Sequence, residues 1–96
     1  MNEKLLSYFL ENNWEVRSDN KTALKVFKFK DFKCAFSWMI LLAFVSENQN
    51  HHPEWKNVYN KIEVTLTTHD LGMLSERDVN LAKEMDKEFE KYIQKV

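Results

Sequence analysis

The sequence predicts an α+β domain: a four-stranded antiparallel sheet with three helices packed on one face, in the order α-β-β-α-β-β-α. Three observations carry this. Short segments of alternating or strand-forming residues come in two adjacent pairs, each pair joined by a polar turn. Three longer segments carry apolar residues at helical spacing. One glycine and one proline leave room only for short connections, so consecutive elements pack on their neighbours.

The first helix spans residues 3–11, with Asn2 as N-cap and Leu5, Leu6, Phe9 and Leu10 as its apolar side. Residues 14–17 alternate and read as a short strand, and Ser18, Asp19, Asn20 and Lys21 have turn composition. Residues 22–29 form the next strand, with Leu24 and Val26 on one face and Lys25 and Phe27 on the other. Asp31 is the N-cap expected for a second helix over 32–47. That helix carries two apolar stripes: Phe32, Phe36, Met39, Ile40 and Ala43, then Cys34, Trp38, Leu41, Leu42 and Val45. A helix apolar around most of its circumference must be buried on most of it. A domain this small cannot cover both sides, so part of the helix is expected to pack against another subunit.

Residues 55–59 and 62–67 read as strands joined through Asn60 and Lys61. In the second, Ile62, Val64 and Leu66 face one way and Glu63, Thr65 and Thr67 the other, which puts His69 on the polar side with Thr67. The last helix runs from Ser75 to about Lys95 on a stripe of Val79, Ala82, Met85, Phe89 and Ile93. The polar face of the sheet is left for a ligand or another subunit.

Bulk properties narrow the function classes. Residues 1–96 make one domain. A net charge of −1 argues against a nucleic-acid surface, and Lys25, Lys28, Lys30 and Lys33, interrupted by Asp31, read as a solvated face. The single Cys34 has no disulfide partner in the chain, fits a reducing compartment, and reads as a small buried side chain. No signal peptide is visible at Met1, Asn2, Glu3 and Lys4, and the longest apolar run, 38–45, is too short to span a bilayer. A soluble cytoplasmic protein without a membrane segment is expected.

The chemistry concentrates between Glu47 and His69, which enclose His51, His52 and Pro53 and hence every histidine and the only proline. Histidine exchanges protons near neutrality, and the proline drives His52 toward an extended backbone. Metal binding is disfavoured: adjacent extended residues point to opposite sides, and no cysteine supports the pair. Acid/base catalysis needs only two imidazoles around one pocket, with Glu47 to orient one of them, Trp55 to offer a flat face, and the Thr67 and Thr68 hydroxyls beside His69. The plain alternative is loop histidines without a role and Trp55 in the core. Ser75, Glu76, Arg77 and Asp78 fit a capping box, so spacing alone makes Asp78 a helix-cap residue. Tyr59 reads as packing. No nucleophile arrangement is visible around Cys34 or the serines.

The pattern Glu47-x-x-x-His51-His52-Pro53, followed by Tyr59, His69 and Asp78, resembles the signature of the pterin-4a-carbinolamine dehydratases. The stretches from His51 to Trp55, Asn57 to Lys61 and Leu74 to Asp78 resemble the family almost letter for letter, and the likeness extends to Phe29, Lys30, Asp31, Phe32 and Ala43. It covers nearly the whole chain, and the length fits a complete member. The resemblance implies dehydration of 4a-hydroxytetrahydropterin, the product of pterin-dependent aromatic amino acid hydroxylases, to quinonoid dihydropterin, with no metal and no redox cofactor. It implies His51, His52 and His69 as the catalytic trio, with His51 and His69 as the acid/base pair and His52 as substrate-positioning. Glu47, Asn50, Trp55, Thr67, Thr68 and Asp78 would then be substrate-binding or supporting residues. It also implies a homodimer or homotetramer and a functional link to a hydroxylase. One departure stands out: many relatives carry aspartate where this chain has Asn50, so a carboxylate that could raise a neighbouring imidazole's pKa is missing. A lower acid limb of the activity is the expected consequence. A binding or dimerisation module on the same fold, and a dehydratase acting on a molybdopterin-related pterin, are the alternatives.

Overall fold

The computed structural model describes residues 3–93. Its elements are α1 (Glu3–Glu11), β1 (Glu15–Arg17), β2 (Thr22–Lys28), α2 (Phe32–Gln49), β3 (Glu54–Val58), β4 (Lys61–Leu66) and α3 (Glu76–Ile93). The order and type of every element match the α+β expectation. Asn2, read as the first N-cap, and Lys95, read as the end of the last helix, lie outside the described residues. Among the described residues, no helix is long and apolar enough to cross a membrane.

The strands pair antiparallel in the order β1-β2-β4-β3. The strong alternation of β4 decides which face is covered: Ile62, Val64 and Leu66 are fully buried, and a period-two strand then turns Glu63 and Thr65 the other way. Register carries that choice to the neighbours. Lys25 and Trp55 both stand opposite Val64, and Leu24 and Glu54 both stand opposite Thr65. The covered face of β2 is therefore Ala23, Lys25 and Phe27, while Val26 stays 57% exposed on the open face. All three helices close on the covered face. Leu5 and Phe9 of α1, Ala35, Trp38 and Leu42 of α2, and Leu81, Ala82 and Met85 of α3 share one core with it. The Phe27 ring lies 4.6 Å from Trp38 and 5.1 Å from Phe89, and the Trp38 indole N–H donates to the Met85 carbonyl across α2 and α3.

Several details differ from the sequence reading, each for a packing reason. The turn between β3 and β4 is Tyr59 and Asn60, with Tyr59 at φ 52°, and Asn60 ties the hairpin back to Phe29 through two bonds of 2.8 Å. α2 begins at the Asp31 cap, whose carboxylate accepts from the Cys34 N–H at 2.8 Å, and continues to Gln49. Its inward side is Ala35, Trp38, Leu42 and Ser46, so only part of the second stripe is covered. Phe32, Phe36, Ile40, Leu41 and Phe44 are exposed, as is Ala43. Cys34 is half-buried rather than buried. Leu10 and Ile93 fall at helix ends beyond the sheet and are exposed too.

Lys25 also leaves the solvated lysine face. Its position opposite Val64 drives the stem inward, and its amine pairs with Asp86 of α3 at 2.7 Å and with the Asn12 carbonyl at 2.9 Å. Asp86 further accepts from the Tyr8 hydroxyl at 2.6 Å and the Trp14 indole N–H at 3.0 Å. One half-buried carboxylate thus ties α1, the entry to β1, and β2 to α3. Burial, and then the Asp86 carboxylate, push the Tyr8 phenol far above its ordinary value. The sign follows. A group whose pKa is raised on folding stabilises the fold fully below its unfolded pKa, near 10 for tyrosine, and loses that contribution as pH rises further. Urea denaturation is expected to show a midpoint that falls above pH ~10 in the parent. In Tyr8→Phe the fall is shallower; equal slopes would contradict this account.

Candidate active site

The site is built on how α2 stops. Asn50 adopts the left-handed conformation at φ 53° and ψ 42°; its N–H donates to the Glu47 carbonyl at 3.1 Å, and the His51 N–H to the Ser46 carbonyl at 3.0 Å. This is a Schellman ending, and asparagine is among the few non-glycine residues that tolerate it. An aspartate there would set a negative charge at the negative end of the helix dipole. Asn50 thus has a structural part: it turns the chain so that His51 enters the interior. Extended backbone before Pro53 then sends His52 the other way.

His51 is 8% exposed, and its Nε2 lies 2.6 Å from Oδ1 of Asp78, which is fully buried. The other oxygen, Oδ2, accepts from the Thr68 hydroxyl at 2.7 Å and from the Ser75 N–H at 3.0 Å. A buried carboxylate is tolerable only when its lone pairs are met, and here three donors meet them. The capping-box reading of Asp78 holds, since its Oδ2 caps α3 while its Oδ1 holds the imidazole. Because a carboxylate oxygen accepts, the proton of this bond sits on Nε2, and Nδ1 is the ring nitrogen that Asp78 does not hold.

His52 Nε2 meets Glu47 Oε1 at 2.8 Å, and His69 Nε2 meets Glu54 Oε2 at 3.1 Å. Both pairs are more than half exposed, so each adds at most about 1 kcal/mol to stability and matters for orientation instead. His69 sits in a tight loop. The Thr68 N–H donates to the Met73 carbonyl at 3.2 Å, and the Gly72 N–H to the Thr68 carbonyl at 2.9 Å. Gly72 supplies the positive φ of 69° that closes the loop. Asp70 of this loop grips the Arg77 guanidinium through two bonds of 3.0 and 3.3 Å, which holds its carboxyl below the ordinary range.

Every histidine therefore has its own carboxylate, with one pair inside and two outside. Glu54 is the residue that sequence reasoning missed. Its signal was its place beside Pro53, but the register that sets it opposite Thr65, on the same side of the sheet as Thr67, was not readable. The remaining candidate residues have partners within the fold. The Thr67 hydroxyl donates to the Lys21 carbonyl at 2.6 Å, Thr68 is buried behind Asp78, and Trp55 packs half-buried against the core. A cavity of about 370 Å³ opens between the last turn of α2 and the first half of α3, lined by Gln49, His51, Arg77, Asn80, Lys83 and Glu84. The buried Gln49 Oε1 finds no hydrogen-bond partner among the described residues. Among the described residues, no three His, Cys, Asp or Glu side chains are grouped to hold a metal ion.

Comparison with known proteins supplies an independent line. The family model described as Pterin 4 alpha carbinolamine dehydratase matches residues 1–88. A protein of Jannaschia sp. (strain CCS1) whose name places it in the same family is 48% identical over 84 residues, covering 88% of this chain and 86% of its own. Another, from Rhizobium meliloti (strain 1021), is 51% identical over 73 residues, covering 76% of this chain and 70% of its own. A crystal structure from Brucella melitensis, titled a transcriptional coactivator/pterin dehydratase, superposes with a TM-score of 0.82 at 35% identity, covering 91% of this chain and 95% of that one. A pterin dehydratase-like protein described as a RuBisCO assembly factor in the alpha-carboxysome matches at a TM-score of 0.67 and 21% identity, covering 77% of this chain and 86% of that one; this likeness concerns the fold alone.

Proposed function

The chain belongs to the pterin-4a-carbinolamine dehydratase family, and from that premise we propose how its own residues carry the reaction. The activity is that of a hydro-lyase in pterin recycling: a pterin 4a-carbinolamine loses water. The buried His51–Asp78 pair carries the mechanistic reading. With Nε2 committed to Asp78, the Nδ1 lone pair of His51 takes the N5 proton of the substrate. His69, oriented by Glu54, donates a proton to the C4a hydroxyl, which leaves as water while the C4a–N5 double bond of the quinonoid dihydropterin forms. One imidazole gains the proton the other has given, and solvent resets both. His52, held by Glu47, positions the substrate.

The chain offers two kinds of contact for the ring. Glu47 is an exposed acceptor for the pterin's amino edge. The cavity beside His51 adds Glu84 as a further acceptor, and its volume lies in the range of small-molecule sites. Asn50 and Thr67 act through backbone placement, and Trp55 closes the site from the core side. The substrate is the 4a-hydroxytetrahydropterin released by an aromatic amino acid hydroxylase, and no cofactor is needed. Residues 1–96 act as one domain, and the lone half-buried thiol suits the cytoplasm.

The exposed row of Phe32, Phe36, Ile40, Leu41 and Phe44 along α2 supports a homodimer or homotetramer, since a monomer seldom leaves so continuous an apolar face in water. Light scattering should return a multiple of the 11.6 kDa chain; a monomer at micromolar concentration would contradict it. The catalytic reading is tested on carbinolamine generated in situ by a pterin-dependent hydroxylase. Dehydration should run well above the spontaneous rate and fall by about 10²-fold or more in His51→Ala. A rate equal to the spontaneous one in the parent protein would favour the non-catalytic binding module, and activity confined to molybdopterin-related pterins would favour that other substrate.

A further inference from the structure

We propose that Ser75 is a positioning residue for the dehydration, holding Asp78 in the one orientation in which it must accept the Nε2 proton of His51. Its kinetic consequence rests on the dehydratase reading above; its structural content does not.

Ser75 reaches Asp78 by two routes. Its N–H donates to Oδ2 at 3.0 Å. Its hydroxyl lies 2.6 Å from the Thr68 hydroxyl, which itself donates to the same Oδ2 at 2.7 Å. Proton counting fixes the direction. Thr68 has a single hydroxyl proton and gives it to Asp78, so the proton in the 2.6 Å gap belongs to Ser75. The Ser75 oxygen in turn accepts from the Arg77 N–H at 3.2 Å. The chain therefore runs one way: Arg77 N–H to Ser75, Ser75 to Thr68, Thr68 to Asp78. Oδ2 holds two donors, so a proton placed on it would expel one of them. Oδ1 is left facing His51 as a pure acceptor, which holds the proton of that bond on Nε2 and turns Nδ1 away from Asp78.

Helix capping does not account for this arrangement. A serine at the N-cap needs only the bond to a first-turn N–H, and here that bond goes to Arg77. The second bond, to Thr68, joins α3 to the segment just beyond β4, and Thr68 is fully buried. Without the Ser75 hydroxyl, the buried Thr68 oxygen loses the donor that dictates which way its own proton points. Asp78 then becomes free to rotate or share a proton with the imidazole.

The test uses Ser75→Ala and Ser75→Gly, with Ser75→Thr as the conservative variant. Glycine is nearly as good an N-cap as serine, so Ser75→Gly removes the hydroxyl while sparing the helix. Two readouts are taken: the ¹⁵N chemical shifts of the His51 ring and the pH profile of the dehydration. The parent and Ser75→Thr should show one Nε2-protonated tautomer. In Ser75→Ala and Ser75→Gly the two nitrogens should move toward averaged shifts. In both, kcat should fall between about tenfold and a hundredfold, with a displaced acid limb and a nearly unchanged KM. If both hydroxyl-free variants kept the parent's His51 shifts and kcat, Ser75 would be a cap and nothing more. A parent protein without activity would overturn the dehydratase reading instead, and the ring shifts alone would then decide the positioning role.

Discussion

The bond between a fully buried carboxylate and a buried imidazole is the constraint around which this small protein is arranged. Asp78 cannot be inside the fold unless three donors reach it, and those donors come from three separate places: the second residue after α2, the second residue after β4, and the cap of α3. Satisfying one charge therefore fixes how the end of α2, the β4 loop and the start of α3 meet. Removing any one donor leaves part of a buried anion unpaired, which typically costs about 1–3 kcal/mol. The geometry of the site is thereby coupled to the stability of the fold.

α3 carries a second inward carboxylate, Asp86, two turns further on. It also takes three donors, from Tyr8, Trp14 and Lys25. The difference lies in the partner. Lys25 brings an amine that only donates, to Asp86 and to the Asn12 carbonyl, so the Asp86 cluster is a clamp between α1, β2 and α3. Imidazoles as a class give and take protons where ammonium groups do not, so the Asp78 cluster is the one suited to the proton transfer proposed for it. Two carboxylates with similar bonding on one helix thus differ in what faces them: an amine at Asp86 and, at Asp78, the imidazole to which the proposed mechanism gives the proton transfer.

Much of this was readable from residue order, and the rest failed for identifiable reasons. β4 and its inward face were legible because Ile62, Val64 and Leu66 alternate without interruption; β2 was legible as a strand, but its inward face was not, because Leu24, Val26 and Phe27 put apolar weight on both faces and only pairing with β4 decides between them. The Asp31 and Ser75 caps were visible as local patterns. The partner of Lys25 was not, because Asp86 lies 61 positions away. At the site, the resemblance carried by His51, His52, His69 and Asp78 named the residues but not their surroundings. It gave no means of knowing that His51 is inside and the other two outside, that Thr68 backs Asp78, or that Glu54 meets His69. Those facts depend on how the α2 ending at Asn50 aims the chain, which is a property of one left-handed residue rather than of a motif.

Whether Asp78 governs the proton of His51 is tested directly by one substitution. Asp78→Asn keeps the size of the side chain and can still accept one hydrogen bond, but it no longer forces the imidazole into one tautomer. Single-turnover dehydration of freshly generated carbinolamine should slow by roughly 10²–10⁴-fold in this variant, while circular dichroism shows the fold retained. A folded Asp78→Asn protein that dehydrates the substrate within about twofold of the parent rate, less than 0.5 kcal/mol in the barrier, would contradict it.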